Sequence, residues 1–293
     1  MTYDLILGDY AYSSWSLRGW LLFERFGIAR RTGMVNFKKG GVAEQMPEWA
    51  PARTVPAVRT PEGALLTESI AIAEELAQRH PEAGLWPDEP GARATARSLA
   101  AEMHAGFAAL RGECPMNLRL AYAGVTPSEA VAADLRRLEA IWDYARDLCT
   151  PDGPWLCGAY SAVDAFYAPV AARIAGYGLQ VSESAQAYVS AHLADPAFRR
   201  WRAMGLVHGE VLDRYRKPFA VADWPGPVPL PARVSNADPE NANCPYSGKP
   251  STHMLELEGR VFGFCNAFCR DKTVADPAAW PTFMALRDRP SSD

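Results

Sequence analysis

Long apolar runs are missing from this sequence of 293 residues. No stretch approaches the roughly 18 consecutive apolar residues that a membrane-spanning helix needs. The first residues also lack the basic segment and apolar core that are typical of a signal peptide. We therefore expect a soluble protein of the cytoplasm that has no membrane partner.

An excess of one charge is missing as well. The chain carries 30 lysines and arginines against 34 aspartates and glutamates, a formal net charge of -4. A general nucleic-acid surface needs concentrated positive charge, so we expect no nucleic-acid partner. Internal repeats are also absent. A chain of this length exceeds what one core usually supports, which predicts two or three domains.

Cysteine is scarce until the C-terminal part of the chain. Three of the six cysteines are scattered and are interpreted as small buried hydrophobic residues: Cys114, Cys149 and Cys157. The other three lie within 26 positions of one another: Cys244, Cys265 and Cys269. In a reducing compartment, such a cluster indicates a metal site before it indicates a disulfide.

The first 82 residues alternate between strand and helix signals. Short apolar segments predict four strands, at 3–8, 31–37, 54–58 and 64–66. Apolar residues at three- and four-residue spacings predict a helix after the first strand and another after the fourth, the latter capped by Thr67. This order is typical of a small α/β domain.

The remaining chain falls into three parts. Residues 91–217 carry helical signals, and Ser161 and Asp164 form a capping-box pattern within them. Residues 218–240 are rich in proline, which predicts an extended linker. Residues 241–293 form a last, small unit. The predicted fold class is thus an α/β domain, an all-α domain and a small α+β module that contains cysteines.

Two adjacent hydroxyls, those of Ser13 and Ser14, lie where the first strand passes into the first helix. Serine is a favoured N-cap because its oxygen accepts a backbone N–H that has no partner. The simplest interpretation is therefore a capped helix. The alternative is a site for an anion or a thiolate, since a helix N-terminus offers free N–H groups and the positive end of a dipole.

Two further features have both a structural and a functional interpretation. Val55-Pro56 opens a strand with a proline, which removes one ladder donor. A cis peptide there would present the backbone of Val55 to a ligand. Glu68-Ser69 begins the next helix, where the dipole alone favours an acid. Only the combination of these features with the paired serines indicates a site.

Together these residues resemble the glutathione transferase family, over residues 3–215. The segment 12–18 is similar to the serine-type signature of the zeta class and of many bacterial relatives. The segment 54–58 resembles the family's cis-proline strand, and 67–72 its γ-glutamyl-binding helix start. The resemblance implies a thioredoxin-like glutathione-binding domain at 1–82, an all-helical domain at 91–217, and a homodimer.

The resemblance also implies roles for individual residues. Ser13 would be the catalytic donor to the glutathione thiolate, with Ser14 as its replacement. Val55, followed by Pro56, would pair its backbone with the cysteinyl part of glutathione. Ser69 would bind the γ-glutamyl carboxylate and Glu68 the γ-glutamyl ammonium. The zeta class has a cysteine at the position of Trp15, so its isomerase chemistry is the less favoured variant.

The last unit, residues 241–293, is called the tail below, and its sequence pattern predicts a metal site. A hairpin is expected from His253–Leu257 and Arg260–Phe264 around the turn Glu258-Gly259. A helix beginning at Asn266 would bring Cys265 and Cys269 to one face. The tail resembles the small TRASH and YHS metal-binding modules. Cys244, Cys265 and Cys269 are then the predicted ligands of a zinc-like ion, and His253 is a candidate for the fourth position, for which water, a neighbouring chain or no ligand are alternatives.

The leading hypothesis is a cytoplasmic glutathione transferase for detoxification chemistry, with an appended metal-binding tail. Glutathione would be the co-substrate, and the partner would be a small electrophile that transfers an alkyl or aryl group to the glutathione thiol or is isomerised by it. The alternative is a non-catalytic scaffold of the same fold whose tail binds or senses metal. A reductase is disfavoured because residues 12–18 contain no cysteine to form a mixed disulfide.

Overall fold

The computed structural model describes residues 2–290. Its chain divides into two compact units. Among the described residues, the first comprises 2–193 and 210–225, and the second comprises 194–209 and 226–290. Met1, the first residue of the predicted domain 1–82, and residues 291–293, the last of the predicted module 241–293, lie outside the described residues.

The first unit begins with the expected α/β arrangement. Its elements are β1 (Tyr3–Leu7), α1 (Ser14–Glu24), β2 (Arg30–Met34), β3 (Ala57–Arg59), β4 (Leu65–Leu66) and α2 (Ser69–Arg79). The sheet has the order β2-β1-β3-β4. Strand β1 pairs parallel with β2 and antiparallel with β3, as a β-α-β unit followed by a strand pair requires. The predicted fold class is confirmed here.

One expected helix start was wrong. The N-cap of α2 is Glu68 and not Thr67. Glu68 has extended backbone angles, and its carbonyl accepts the N–H of Ile72, which is the first bond of the helix. Its side chain makes no capping bond. A threonine preceding the cap therefore gave a misleading local signal.

Five helices follow in the first unit: α3 (Pro90–Ala105), α4 (Ala108–Glu113), α5 (Glu129–Cys149), α6 (Ala162–Gly176) and α7 (Glu183–Ala194). Helix α6 lies at their centre, because 14 of its 15 residues are buried. The predicted capping box at its start is confirmed, since Ser161 and Asp164 satisfy each other's backbone N–H groups. A short strand β5 (Ala121–Ala123) pairs antiparallel with β6 (Ala220–Ala222).

The second unit combines one helix, a sheet and two further helices. It contains α8 (Pro196–Val207), β7 (Ala232–Ser235), β8 (His253–Leu257), β9 (Arg260–Phe264), α9 (Ala267–Ala275) and α10 (Pro281–Arg287). The sheet is antiparallel in the order β7-β8-β9. The predicted hairpin is confirmed, with both turn residues, Glu258 and Gly259, at positive φ. Buried side chains in the core of the second unit include Leu255, Leu257, Phe262, Phe264 and Phe283.

Two features depart from a plain linker at 218–240. Strand β6 joins the first unit and strand β7 the second, so both ends of this segment are paired. Helix α8, which falls in the predicted all-helical segment 91–217, belongs to the second unit. There Arg199 forms a bidentate ion pair with Asp276, with distances of 2.6 and 2.8 Å. The predicted division into residues 1–82, 91–217, 218–240 and 241–293 stays a prediction.

Candidate functional site

A cavity of about 870 Å³ opens in the first unit. Its wall includes all six residues predicted for the thiol site: Ser13, Ser14, Val55, Pro56, Glu68 and Ser69. These residues come from three separate segments, the start of α1, the loop before β3 and the start of α2. The fold therefore brings together what the sequence presents as three independent motifs.

Ser13 is engaged in the cap of α1. Its Oγ accepts the N–H of Ser16 at 3.3 Å and donates to the hydroxyl of Ser16 at 2.8 Å. That second hydroxyl in turn accepts the N–H of Gly8 at 2.8 Å. Ser13 lines the cavity but is only 6% exposed. Ser13 therefore caps α1, and the role of its hydroxyl as the donor to a thiolate stays a prediction.

Ser14 is the first residue of α1, and its hydroxyl has a different partner. The Ser14 Oγ accepts a hydrogen bond from Arg173 Nη2 at 3.3 Å. Arg173 is 4% exposed and also donates to the carbonyls of Cys114 and Pro169. Burial, reinforced by the nearby Arg111, lowers its pKa to about 10. The side chain is therefore still charged at neutral pH.

The loop before β3 is fixed against α1. The Val55-Pro56 peptide is cis. A Cβ placed on Gly19, in the middle of α1, would lie 2.7 Å from the Pro56 ring, closer than side chains tolerate. Glycine at position 19 thus allows the helix to approach the proline. This contact packs the loop that carries Val55 against α1, and both border the cavity.

A histidine that the sequence analysis missed joins the two residues at the start of α2. His104 Nδ1 lies 3.4 Å from the Ser69 hydroxyl, and its Nε2 lies 3.3 Å from a Glu68 carboxylate oxygen. Burial lowers the pKa of His104, with Arg18 and Arg111 adding to it and Glu68 opposing it. The ring is therefore neutral near pH 7. It orients Glu68 and Ser69 by hydrogen bonding.

Arginines concentrate beside Trp15. The Arg111 guanidinium lies 4.6 Å from the Trp15 ring centre, and the Arg18 guanidinium lies 4.5 Å from it. Arg111 lines the cavity, as does Arg173. A single arginine inside the apolar helix α6 was the one signal that could have drawn attention to Arg173. Nothing local distinguishes Arg111 from a surface arginine.

The second unit contains a cluster of three thiols. The sulfurs of Cys244, Cys265 and Cys269 all lie within 4.8 Å of one another. Cys265 and Cys269 flank the start of α9, whose N-cap Asn266 accepts the N–H of Cys269, and their sulfurs are 3.9 Å apart. Cys244 precedes a tight turn closed by Gly248 N–H donating to the Cys244 carbonyl. The predicted juxtaposition of the three cysteines is present.

The surroundings of the thiols favour ionisation of Cys244. Burial raises its pKa, but the N–H groups of Cys265, Tyr246 and Ser247 outweigh it and lower the pKa to about 7. Burial raises the pKa of Cys269 to about 12, against the pull of Lys272. His253 does not belong to the group of converging ligand atoms, and its Nδ1 lies 2.9 Å from the Thr252 hydroxyl.

Comparisons with known proteins agree with this architecture. Residues 12–79 match the sequence model of the family described as "Glutathione S-transferase, N-terminal domain". No curated protein matches the sequence. Within residues 2–290, no helix has the length and apolar character that crossing a membrane demands.

Three solved structures represent the structural relatives. A Burkholderia BGR1 glutathione transferase homologue with bound glutathione is 22% identical, with a TM-score of 0.52, covering 69% of this chain and 96% of that one. A Sulfitobacter homologue, also with bound glutathione, is 18% identical, with a TM-score of 0.51 and coverages of 70% and 99%. Glutathione transferase Omega 2S from Trametes versicolor, bound to 2,4-dihydroxybenzophenone, is 22% identical, with a TM-score of 0.52 and coverages of 68% and 93%. At these identities the likeness concerns the fold, which is that of glutathione transferases.

Proposed function

We propose that this protein is a glutathione-dependent transferase that activates the glutathione thiol for attack on a small electrophile. The observation that carries the proposal is the cavity whose wall combines the start of α1, the cis Val55-Pro56 peptide and the start of α2. Two structural relatives hold glutathione. Transfer of an alkyl or aryl group is the proposed reaction, and isomerisation by addition and elimination of the same thiolate is its variant.

The chemistry requires a thiolate. A free thiol has a pKa near 8.5, so most of it is protonated at neutral pH. A sulfur beside Ser13 and Ser14 would face hydroxyl donors and the positive end of the α1 dipole. The charge of Arg173, 3.3 Å from the Ser14 hydroxyl, would stabilise the thiolate further. These three influences act in the same direction.

Binding of the rest of glutathione is assigned to the other two segments. The Val55 backbone would pair with the cysteinyl residue. Ser69 would bind the γ-glutamyl carboxylate, and Glu68, held by His104, would bind the ammonium. A partner electrophile would enter from the helical side of the cavity, which Arg111 and Met116 line.

A substitution at Ser69 tests the binding assignment. We expect Ser69→Ala to weaken glutathione binding about ten- to a hundredfold, because one hydrogen bond to a charged group is lost. Saturating turnover should change less, because the γ-glutamyl end is remote from sulfur. Calorimetric titration with glutathione and turnover of 1-chloro-2,4-dinitrobenzene are the two measurements.

The control is Arg97→Gln, which removes a surface ion pair with Glu74 outside the cavity. It should leave both quantities unchanged. If Ser69→Ala binds glutathione like the wild type, the start of α2 is only a helix start. If the wild type binds glutathione but conjugates nothing, the alternative function, a non-catalytic scaffold, replaces the enzyme.

A second candidate function belongs to the tail. We infer that Cys244, Cys265 and Cys269 bind one zinc-like ion. Zinc–sulfur bonds of about 2.3 Å in a tetrahedral site place sulfurs about 3.8 Å apart. The Cys265–Cys269 separation of 3.9 Å fits this value, and the donor set of three thiols suits zinc. Water or a neighbouring chain would complete the coordination more simply than His253, which lies outside the cluster.

Five further expectations belong with this proposal. The TRASH-like or YHS-like nature of the tail is supported by the arrangement of a hairpin followed by a helix that carries two cysteines. A homodimer and a cytoplasmic location with detoxification as the biological role follow from the family resemblance alone. The zeta subclass has the weakest support, since Trp15 replaces its cysteine.

A further inference from the structure

Three arginines surround the helical side of the cavity, and residues 2–290 supply none of them with an acidic partner. Arg111 and Arg173 line the cavity, and Arg18 packs behind its wall with its guanidinium 4.5 Å from the Trp15 ring centre and 5.4 Å from that of Phe166. Each comes from a different helix, α4, α6 and α1. Their convergence is therefore a product of the fold and not of a basic stretch of sequence.

None of the three forms an ion pair with another of the described residues. Arg173 donates to two carbonyls and to the Ser14 hydroxyl. Arg111 donates to the carbonyls of His104 and Gly106, in both cases from Nη1, which leaves its Nε and Nη2 without a partner among residues 2–290. Arg18 is 1% exposed, and its Nε and Nη1 have no hydrogen-bond partner in that range.

The other charged residues around the cavity do not neutralise the positive charge of the three arginines. Among the described residues that line the cavity, Glu68 is the only acid, and it lies at the start of α2, hydrogen-bonded to neutral His104. Burial lowers the pKa of Arg18, and the neighbouring Arg173 and Arg111 lower it further. Buried charges are costly unless a partner neutralises them. An anion in the cavity would supply the missing partner.

We propose that Arg111 and Arg173 form a subsite for a carboxylate carried by the electrophile. The inference rests on the proposed transferase function and specifies its substrate class. A guanidinium presents paired donors that match a carboxylate, and Arg111 has such a pair free. Arg173 touches Ser14, so an anion bound there lies next to the group that is proposed to face sulfur.

Glutathione itself is the competing owner of these arginines, because it carries two carboxylates. The γ-glutamyl carboxylate is assigned to Ser69, at the start of α2. A test must therefore separate an electrophile's carboxylate from those of glutathione. A matched pair of electrophiles that differ only in one charge makes this separation.

The probes are 4-chloro-3,5-dinitrobenzoate and its methyl ester. In both, the glutathione thiolate forms a bond to the ring carbon that bears chlorine, chloride leaves with the bonding pair, and the thiol proton passes to solvent. Atoms and charge balance without a further reactant. The intrinsic reactivity of each probe is given by the rate of its uncatalysed reaction with glutathione, which is measured in parallel.

We expect the wild type to prefer the carboxylate over the ester by about ten- to a hundredfold in kcat/KM after correction for intrinsic reactivity, as one charge-assisted pair provides. Arg111→Gln should abolish this preference, because it slows the carboxylate about ten- to a hundredfold more than the ester. Arg111→Lys should restore part of it. Arg97→Gln, which changes a surface arginine, should leave the preference intact.

A binding measurement keeps the inference testable without turnover. The two glutathione conjugates, prepared chemically, are titrated into wild type and Arg111→Gln by calorimetry. Tighter binding of the carboxylate conjugate, lost in the variant, supports the subsite even if no probe is turned over, in which case only the proposed transferase activity fails. Equal binding of both conjugates by the wild type overturns the subsite. Equal weakening of both conjugates and of free glutathione in the variant also overturns it, because Arg111 then serves glutathione.

Discussion

Ser13 and Ser14 are adjacent in the sequence but differ in what their hydroxyls already do. The Ser13 hydroxyl both accepts from and donates to Ser16, as the cap of α1. The Ser14 hydroxyl accepts from Arg173, and this bond leaves its own proton available for a sulfur. The family resemblance favours Ser13 as the thiolate donor, whereas the hydrogen bonds give Ser14 the freer proton. The two assignments predict different effects of alanine substitution at positions 13 and 14.

Serine-to-alanine substitutions at positions 13 and 14 separate these assignments. Loss of the thiolate donor should raise the pKa of bound glutathione and slow conjugation about ten- to a hundredfold, because one charge-assisted hydrogen bond disappears. The measurement is the ultraviolet absorbance of the thiolate in the bound tripeptide, titrated with pH in wild type, Ser13→Ala and Ser14→Ala.

The stability of each variant serves as the control for this titration. Ser13→Ala removes an N-cap and should lower the free energy of unfolding by about 1 kcal/mol. Ser14→Ala keeps that cap. A raised thiol pKa in Ser13→Ala alone supports the family assignment, and in Ser14→Ala alone it transfers the role to Ser14. Unchanged pKa values in both would remove the pair from the chemistry.

At the scale of elements, helix α6 carries a buried acid at its start. The Asp164 carboxylate accepts from the N–H groups of Ser161 and Leu156 and from the Tyr188 hydroxyl. Burial raises the pKa of Asp164 to about 6, and these hydrogen bonds oppose the rise without cancelling it. The carboxyl is thus more easily protonated in the folded chain than in the unfolded chain.

The sign of the pH dependence follows from this raised pKa. Between about pH 4 and pH 6 the folded state holds a proton on Asp164 that the unfolded state has released. This contribution to the free energy of unfolding is fully present below about pH 4 and is lost as the pH rises through about 6. A shift of about two pKa units corresponds to about 3 kcal/mol. Urea unfolding of wild type and Asp164→Asn at mildly acidic and at neutral pH measures it.

The difference between the two proteins is the informative quantity, because other groups titrate in both. The amide that the substitution introduces cannot ionise, so the stability of wild type relative to the variant should fall as the pH rises from mildly acidic to neutral. The variant loses part of the capping box and should be the less stable protein at the lower pH. A difference that does not change with pH would mean that Asp164 is ionised throughout the range.

Elements governed by local patterns were predictable from the sequence, and contacts made over long sequence distances were not. The capping box of α6, the hairpin of β8 and β9 and the start of α1 depend on neighbours within a few residues. Arg173 reaches Ser14 across 159 positions and His104 reaches Ser69 across 35. Neither pair has a local signal, because only packing of the helices brings them together. His253 lies outside the group of converging thiols, and its Nδ1 is 2.9 Å from the hydroxyl of the preceding Thr252.

At the scale of the whole molecule, the tail is larger than its sequence signals suggest. Helix α8 shares a compact unit with the sheet that follows, through the Arg199–Asp276 pair and a bond from Arg200 Nη1 to the Ala279 carbonyl. Both members of the pair are largely buried, at 16% and 8% side-chain exposure. Loss of the tail would leave the Arg199 charge without its partner. Helix α8 should therefore respond to whatever stabilises the tail.

Metal removal tests this dependence. A unit this small has a modest core, so a bound ion should contribute much of its folding free energy. We expect one zinc-like ion per chain in the purified protein, and none after Cys265→Ser with Cys269→Ser or after chelation. Hydrogen exchange should then speed up by about tenfold or more in β8, β9 and α9 and also in α8, while α6, which lies in the first unit, keeps its protection.

The matched control is Cys149→Ser, which removes a thiol from α5 in the first unit and should retain the ion. Elemental analysis and exchange measured on the same samples decide between the possible outcomes. Metal-free wild type with full protection in β8 and β9 would mean that the hydrophobic core alone holds the tail. Equal metal in wild type and in the double variant would move the site away from these thiols. Faster exchange confined to residues 226–290 would show that α8 folds without the tail, and that the second unit is two cooperative pieces and not one.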